Sequence, residues 1–451
     1  MAMSQTLVLR YADLGIATYA SLRLVGHPAK TVNWVVEEPI LLAALQELAE
    51  ALPEPRGSES PRDAIERALA RGPFAAPDTE LTVAYILGVL LIDTRGWQLL
   101  ADCAASTSGP RASLFVSPSA RLARVPWGLL AMPKSGPSKE ELVRARQDAI
   151  TASGRAAAQI PWRLDDIDEL TDGYRLVELV DVLMAAPPNI VNSSRAPTSF
   201  DARRDGPPVL VLDPRVPGQR PDSPLGSVLG RPSPQTPLAR HFGELMRRRP
   251  VLPDVDEAVE LFRRADADRA WLAKQLARSP SRLMYVGHAS SAHGQADRAA
   301  LHLACAAAIP GDAEAIGDHR PLTASDVMSS QVPLPPRVAL LACGSGGDYQ
   351  FDEATGLVAA MILGGAQLVT ATLWSLPTSA AYGRFAGAEA DPMSDVVVAV
   401  DEAHEGDDAG RAVNRWQRAQ LRRWRDGRDG RAAASPLYWG ALVSFAVDGA
   451  R

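Results

Sequence analysis

Five short runs in the second half of the chain are apolar almost from end to end: PVLVLD (208–213), RLMYVGH (282–288), RVALLAC (337–343), AQLVTATLW (366–374) and PLYWGALVSFAV (436–447). A strand with no polar face must be covered on both sides. The segments between these runs carry the 3.6-residue periodicity that would cover them. Residues 238–246 place Leu238, Phe242, Leu245 and Met246 on one stripe, and 268–277, 353–363 and 409–425 read as further helices. Gly364 and Gly365 close the third, as a left-handed helix terminus would require. Strands buried on both faces and separated by helices imply a mostly parallel sheet in a three-layer α/β fold. The reading assigns that fold to residues 201–451 and a smaller α/β half to residues 1–200. In the smaller half, 39–52 begins with proline at a first helical position and reads as a helix. Residues 81–93 and 111–118 read as buried strands, and 121–133 turns back through Pro126 and Trp127.

Composition removes several classes of function. The 451 residues are 46% hydrophobic and 22% charged, ordinary for a globular protein of two or three domains. A net charge of −6 gives no basic footprint for nucleic acid. The basic residues are 43 arginines and four lysines, for which codon bias in a GC-rich genome is the plain explanation. Three cysteines without CxxC or Cys/His ligand spacing suggest neither a disulfide framework nor zinc. The N-terminal residues lack the pattern of a secretory signal. The longest apolar run, Val83–Ile92, is too short to cross a membrane. A reducing, cytoplasmic location is therefore expected. The segment 213–237 has seven prolines and few large apolar residues, and is expected to be a mobile surface loop.

Ligands of an open parallel sheet bind beyond the carboxyl ends of its strands. One run ends in His288, and another ends in Cys343 followed by Gly344-Ser345-Gly346-Gly347. If the two strands are neighbours, both side chains leave on the same rim. An imidazole could then generate the thiolate that makes cysteine a nucleophile. The glycines would let backbone N–H groups turn toward a reacting carbonyl oxygen. The absence of GxGxxG and of a Walker lysine argues against a nucleotide-binding reading.

At these residues the chain resembles the CHAT domain, the bacterial branch of the caspase and separase superfamily of clan CD cysteine peptidases. The matching pieces include VLVLDP (209–214), LMYVGHAS (283–290), LHLA (301–304), PLTASDV (321–327), VALLACGSG (338–346), 355–377 and 435–449. Upstream, 114–133 and 174–187 match as well. The resemblance implies a caspase-like fold with an inactive caspase-like N-terminal half. It implies a His288–Cys343 dyad, with the N–H groups of Ala289 and Cys343 holding the oxyanion. Family members often have glycine where this chain has Ala289. Leu341 replaces the glutamine of aspartate-cutting caspases, and Ser375 follows Trp374 where arginine-cutting separase-like members carry an acid. A neutral P1 residue is therefore expected, near Leu341, Trp374 and Ser375. By the resemblance the chain is a cysteine endopeptidase that needs no cofactor or metal. It would cut a specific protein substrate, such as a gasdermin or another effector, in bacterial antiviral defence or cell death. An activating protein partner is possible by the same reasoning, whereas nucleic acid and membrane are not expected as partners. The alternative is a latent or inactive caspase-like scaffold that binds a partner protein.

Other candidates have plainer readings. Cys103 and Cys305 are expected to be packing residues, with Cys305 in or at the edge of a strand. His293 is the local competitor for the base. His27, His241, His302, His319 and His404 share no spacing and are expected on the surface or on helices. Asp348, Asp352 and Glu353 are read as loop charges or helix caps. The arginines of 247–249 and 411–431 are read as solvated helix faces.

Overall fold

The computed structural model describes residues 5–447 except 16, 106–108, 135, 137, 139, 142, 145–146, 148–165, 187–189, 191–197, 221–222, 291–295, 331, 343–355, 388–389 and 428–431. Two compact units divide the chain: Met1–Met184 with Gln417–Gly440, and Ala185–Trp416 with Ala441–Arg451.

The first unit carries strands β1 (Thr6–Asp13), β2 (Ala17–Leu24), β3 (Thr31–Glu37), β4 (Ser113–Ser117) and β7 (Asp181–Ala185) in the order β3-β2-β1-β4-β7. The β1–β4 and β4–β7 pairs are parallel, and the hairpins β1–β2 and β2–β3 antiparallel. A two-stranded ribbon, β5 (Ala131–Pro133) and β6 (Thr171–Arg175), lies apart from that sheet. The helix Glu38–Ala51 has its proline in the first turn, as the sequence suggests. Residues 81–93 do not form a strand. Residues 81–91 belong to the helix Pro77–Leu91, which opens with proline and carries Asp78 and Glu80 in its first turn. Nearly every residue from Val83 to Leu91 is buried, and an all-apolar run has the same pattern as a helix or as a strand. Gly88 lets the Ala131 carbonyl approach the helix where a Cβ would overlap it. Glu80 is buried but receives three bonds from the Arg175 guanidinium, 2.8, 2.9 and 3.1 Å, and one from Trp424 Nε1 at 3.2 Å. Among the described residues no single helix is long and apolar enough to cross a membrane.

The second unit carries β8 (Val209–Leu212), β9 (Arg282–Gly287), β13 (Arg337–Ala342), β14 (Leu368–Thr372) and β15 (Leu442–Ala446), in the order β8-β9-β13-β14-β15. The first four are parallel and wholly buried. The last is antiparallel to β14. The run 436–447 is thus not one strand: Pro436–Trp439 form a helical turn capped by Ser435 before β15 begins. Alternation along β9 sends neighbouring side chains to opposite faces. Arg282 meets Asp401 of the helix Pro392–Glu405, which packs with the helix Pro237–Arg248. Leu283 and Tyr285 face a cavity of about 260 Å³ walled by the helices Arg269–Leu276 and Ala324–Ser329 and by Met361 of Leu357–Leu363. This unit is a three-layer α/β fold with a mostly parallel sheet, as its apolar runs imply.

Its buried Asp401 and Arg282 are paired with each other. Asp401 is fully buried; burial alone would raise its pKa, but Arg282 and His241 hold it below the usual carboxylate value. The arginines of 247–249 do not all stand free in solvent: Arg249 reaches the carbonyls of Arg204 and Gly206, and Arg248 reaches Glu405. The helix Ala409–Asp426 departs further from a solvated face. Arg411 and Arg418 are buried, and Arg418 bonds Asp181 at 2.8 Å.

Candidate active site

Strands β9 and β13 are hydrogen-bonded parallel neighbours, in register through Gly287 and Ala342. His288 and Cys343 are the next residues along the two strands. Cys343, Gly344–Gly347, Asp348, Asp352, Glu353 and His293 lie outside the described residues. His288 is half-buried at the carboxyl end of β9, and its Nε2 lies 3.0 Å from the Gly226 carbonyl oxygen. A carbonyl only accepts, so in the neutral ring Nε2 carries the proton and Nδ1 carries the lone pair. That tautomer leaves Nδ1 as the basic nitrogen.

Gly226 comes from the segment expected to be a mobile loop, and the structure corrects that expectation. Asp213, at the end of β8 with φ +52°, is completely buried. Its carboxylate accepts from Ser227 Oγ (2.7 Å), Val228 N (3.1 Å), Leu229 N (3.2 Å) and the Arg263 guanidinium (3.2 Å). Val216 and Val228 are buried as well. The same Arg263 nitrogen donates to the Gly226 carbonyl at 3.1 Å. One carboxylate and one guanidinium thus fix the backbone group that orients His288. Proline content described the segment's composition and missed its anchor.

After His288 the chain enters a small antiparallel sheet of β10 (Ala289–Ser290), β11 (Ala300–Leu301) and β12 (Leu322–Thr323). The His302 N–H donates to the His288 carbonyl at 3.0 Å. Ala289 and Leu301 therefore form a non-hydrogen-bonded pair, and the ladder does not use the Ala289 N–H. The Tyr285 hydroxyl donates to the His288 carbonyl (2.7 Å) and to the His302 carbonyl (3.1 Å). It reaches them across Gly287, where a Cβ would lie 2.7 Å from that oxygen.

The residues named for substrate contact are placed unequally. Leu341 sits inside β13 and Trp374 follows β14, both fully buried, whereas Ser375 is half-buried. Cys305 is buried as expected but outside any strand; its neighbour in sequence, Ala304, is a bend. Cys103 is buried in the helix Thr94–Ala105. Burial raises both thiol pKa values, although Arg269 opposes the rise at Cys305. Neither is poised as a thiolate at neutral pH. The expectation that the remaining histidines lie on the surface or on helices fails for His302 and His319. Both are buried and outside helices. Their neighbours His288 and Ser290 are brought to them by the β10–β11–β12 turn, which leaves no local spacing to read.

The CHAT domain family model matches residues 91–449, and the chain belongs to that family. Among solved structures it is similar to the Saccharomyces cerevisiae separase of two separase–securin complexes, each at 10% identity, with TM-scores of 0.43 and 0.39. The alignments cover 98% of this chain and 30% of the separase chain, so this chain spans under a third of that protein's length. No curated protein matches.

Proposed function

We propose that the chain is a cysteine endopeptidase in which His288 and Cys343 act as base and nucleophile. The observation that carries the reading is the register of β9 and β13, which end together at Gly287 and Ala342. The tautomer set by Gly226 supports it. In this reading His288 Nδ1 takes the proton from Cys343, and the sulfur attacks the scissile carbonyl carbon. The N–H groups of Ala289 and Cys343 hold the oxyanion. The imidazolium protonates the leaving amine as the C–N bond breaks, leaving a thioester. Water, deprotonated by His288, cleaves the thioester and returns the proton to sulfur.

The substrate is a specific protein cut after a neutral residue, with Ser375 near the P1 side chain. Its setting is bacterial defence or cell death in the cytoplasm, a gasdermin being one candidate, and a partner protein triggers the activity. Residues 1–200 are the inactive caspase-like half in this reading, and 201–451 the active one. A scaffold without catalysis is the second reading, favoured by the burial of Leu341 and Trp374. Incubating wild type and Cys343→Ala with a proteome-derived peptide library separates them. Cleavage by wild type alone supports the peptidase; equal digests that persist when a bacterial lysate supplies the triggering partner support the scaffold.

A further inference from the structure

Beside the rim lies a chain of side chains that the reaction above does not use. His319 Nδ1 is 2.9 Å from the Cys305 carbonyl oxygen. Its Nε2 is 3.1 Å from His302 Nδ1, and His302 Nε2 is 3.1 Å from Ser290 Oγ. Both rings are buried, with 2% and 0% of their surfaces exposed. The carbonyl at the end settles every proton, because it can only accept. His319 therefore carries its proton on Nδ1 and accepts at Nε2. His302 donates from Nδ1 and accepts at Nε2, and Ser290 must donate. Burial, reinforced by the proximity of His319 and His288, pushes the His302 pKa down to about 3, and burial lowers that of His319 too. Both rings thus stay neutral and the direction of the chain persists at neutral pH.

We propose that Ser290, His302 and His319 are positioning residues that hold the His288–Ala289 backbone at the rim of the sheet. The Ser290 side chain fixes one end of that segment through the His302 ring. The His302 N–H and the Tyr285 hydroxyl grip the other end at the His288 carbonyl. The Ala289 N–H shares a planar peptide group with the His288 carbonyl, so the bonds that hold that oxygen also aim the N–H. The arrangement resembles an activated serine only in outline. Burial and the neighbouring histidines lower the His302 pKa to about 3, which makes that ring a poor general base for Ser290. The consequence for catalysis rests on the peptidase reading, whereas the chain and its grip on the backbone do not.

The test uses the full-length protein in three forms: wild type, Ser290→Ala and Ser290→Thr. Hydrogen exchange of the peptide spanning 285–290, read by mass spectrometry, is expected to speed up at least tenfold in Ser290→Ala and to return to the wild-type rate in Ser290→Thr. Long-range ¹H–¹⁵N spectra of ¹⁵N-histidine protein should show His302 and His319 as Nδ1–H tautomers at pH 7. Alkylation of Cys343 by iodoacetamide should slow about tenfold in Ser290→Ala with the melting temperature nearly unchanged. Unaltered exchange in Ser290→Ala, an Nε2–H tautomer at either ring, or labelling of Ser290 by a fluorophosphonate would overturn the proposal. If Cys343 in wild type reacts no faster than Cys103 and Cys305, the peptidase reading falls alone, and the exchange and tautomer results still judge the positioning chain.

Discussion

Asp213→Asn removes one charge at the point where the candidate site is tied to its loop, and little else. Asparagine has the same shape and tolerates the left-handed backbone at φ +52°, so the change adds no backbone strain. Its amide offers one acceptor oxygen where the carboxylate offers two. If the NH₂ replaces Oδ2, Ser227 can accept from it and keep its own bond to the Gly230 carbonyl, 2.9 Å away. The Leu229 N–H then loses its acceptor. If the NH₂ replaces Oδ1, it faces the Val228 N–H and the Arg263 guanidinium, both donors. In either orientation a buried donor is left unmet and Arg263, with only 16% of its side chain exposed, loses its counter-ion. A lost bond to a charged group is worth roughly 1.5–3 kcal/mol, and an unmet buried donor costs about 1–3 kcal/mol. Together they come to about 2.5–6 kcal/mol, which lowers the melting temperature by about 5–24 °C in a unit of this size. The Gly226 carbonyl, no longer held through Arg263, should also release His288 Nε2, so Cys343 alkylation should slow as well. Differential scanning calorimetry and the alkylation rate are read on the same samples. A melting temperature within about 1 °C of wild type, with unchanged alkylation, would refute the anchoring role of Asp213.

Iodoacetamide at pH 7 is expected to label Cys343 stoichiometrically before Cys103 or Cys305, whose buried thiols have raised pKa values; peptide mapping of a limited reaction checks the order. Stability should fall with acidification. The folded-state pKa values of His302 and His404 lie at about 3, below the ordinary 6.5, so from pH 6.5 down to 3 the unfolded chain takes up protons that the folded one refuses. The loss is about 1.4 kcal/mol per pH unit for each group at most. Urea midpoints at pH 7, 6 and 5 should drop accordingly and flatten in His404→Gln; a level series would contradict this. In the first unit, Glu80→Gln should cost about 3–5 kcal/mol by leaving the buried Arg175 guanidinium uncompensated. Chemical denaturation should show a smaller loss for the double change Glu80→Met with Arg175→Met.

The strands were legible because a run such as RVALLA has one physical use, burial on both faces, and the helices around it have another. That the strands before His288 and Cys343 are neighbours stays conditional in the sequence, because a run carries no mark of the strand it pairs with; the structure pairs them in parallel. The run at 81–93 was not legible by periodicity, since a helix buried all round and a buried strand are equally apolar; Pro77 and the acidic first turn were the available signals. Gly226 could not be found in advance at all, because a backbone carbonyl is common to every residue and its role depends on where the chain passes. Asp213 is a single acid whose partners lie 14 to 16 residues along the chain, and one more in Arg263, 50 residues away. His302 and His319 stand 17 residues apart and meet only through the turn of the small sheet. The apolar neighbours in LHLA hinted that His302 is buried, and its partner left no comparable mark.

The proposed pairing of His288 with Cys343 across one rim is measured directly with 1,3-dibromoacetone. Cys343 sulfur displaces one bromide, and an imidazole nitrogen within reach displaces the second, leaving a three-carbon bridge. Mass spectrometry of the digested wild-type protein should find the peptides bearing Cys343 and His288 joined, and His288→Ala should give a single-ended adduct only. A single-ended adduct in wild type, or a bridge from Cys343 to any other residue, would contradict the pairing.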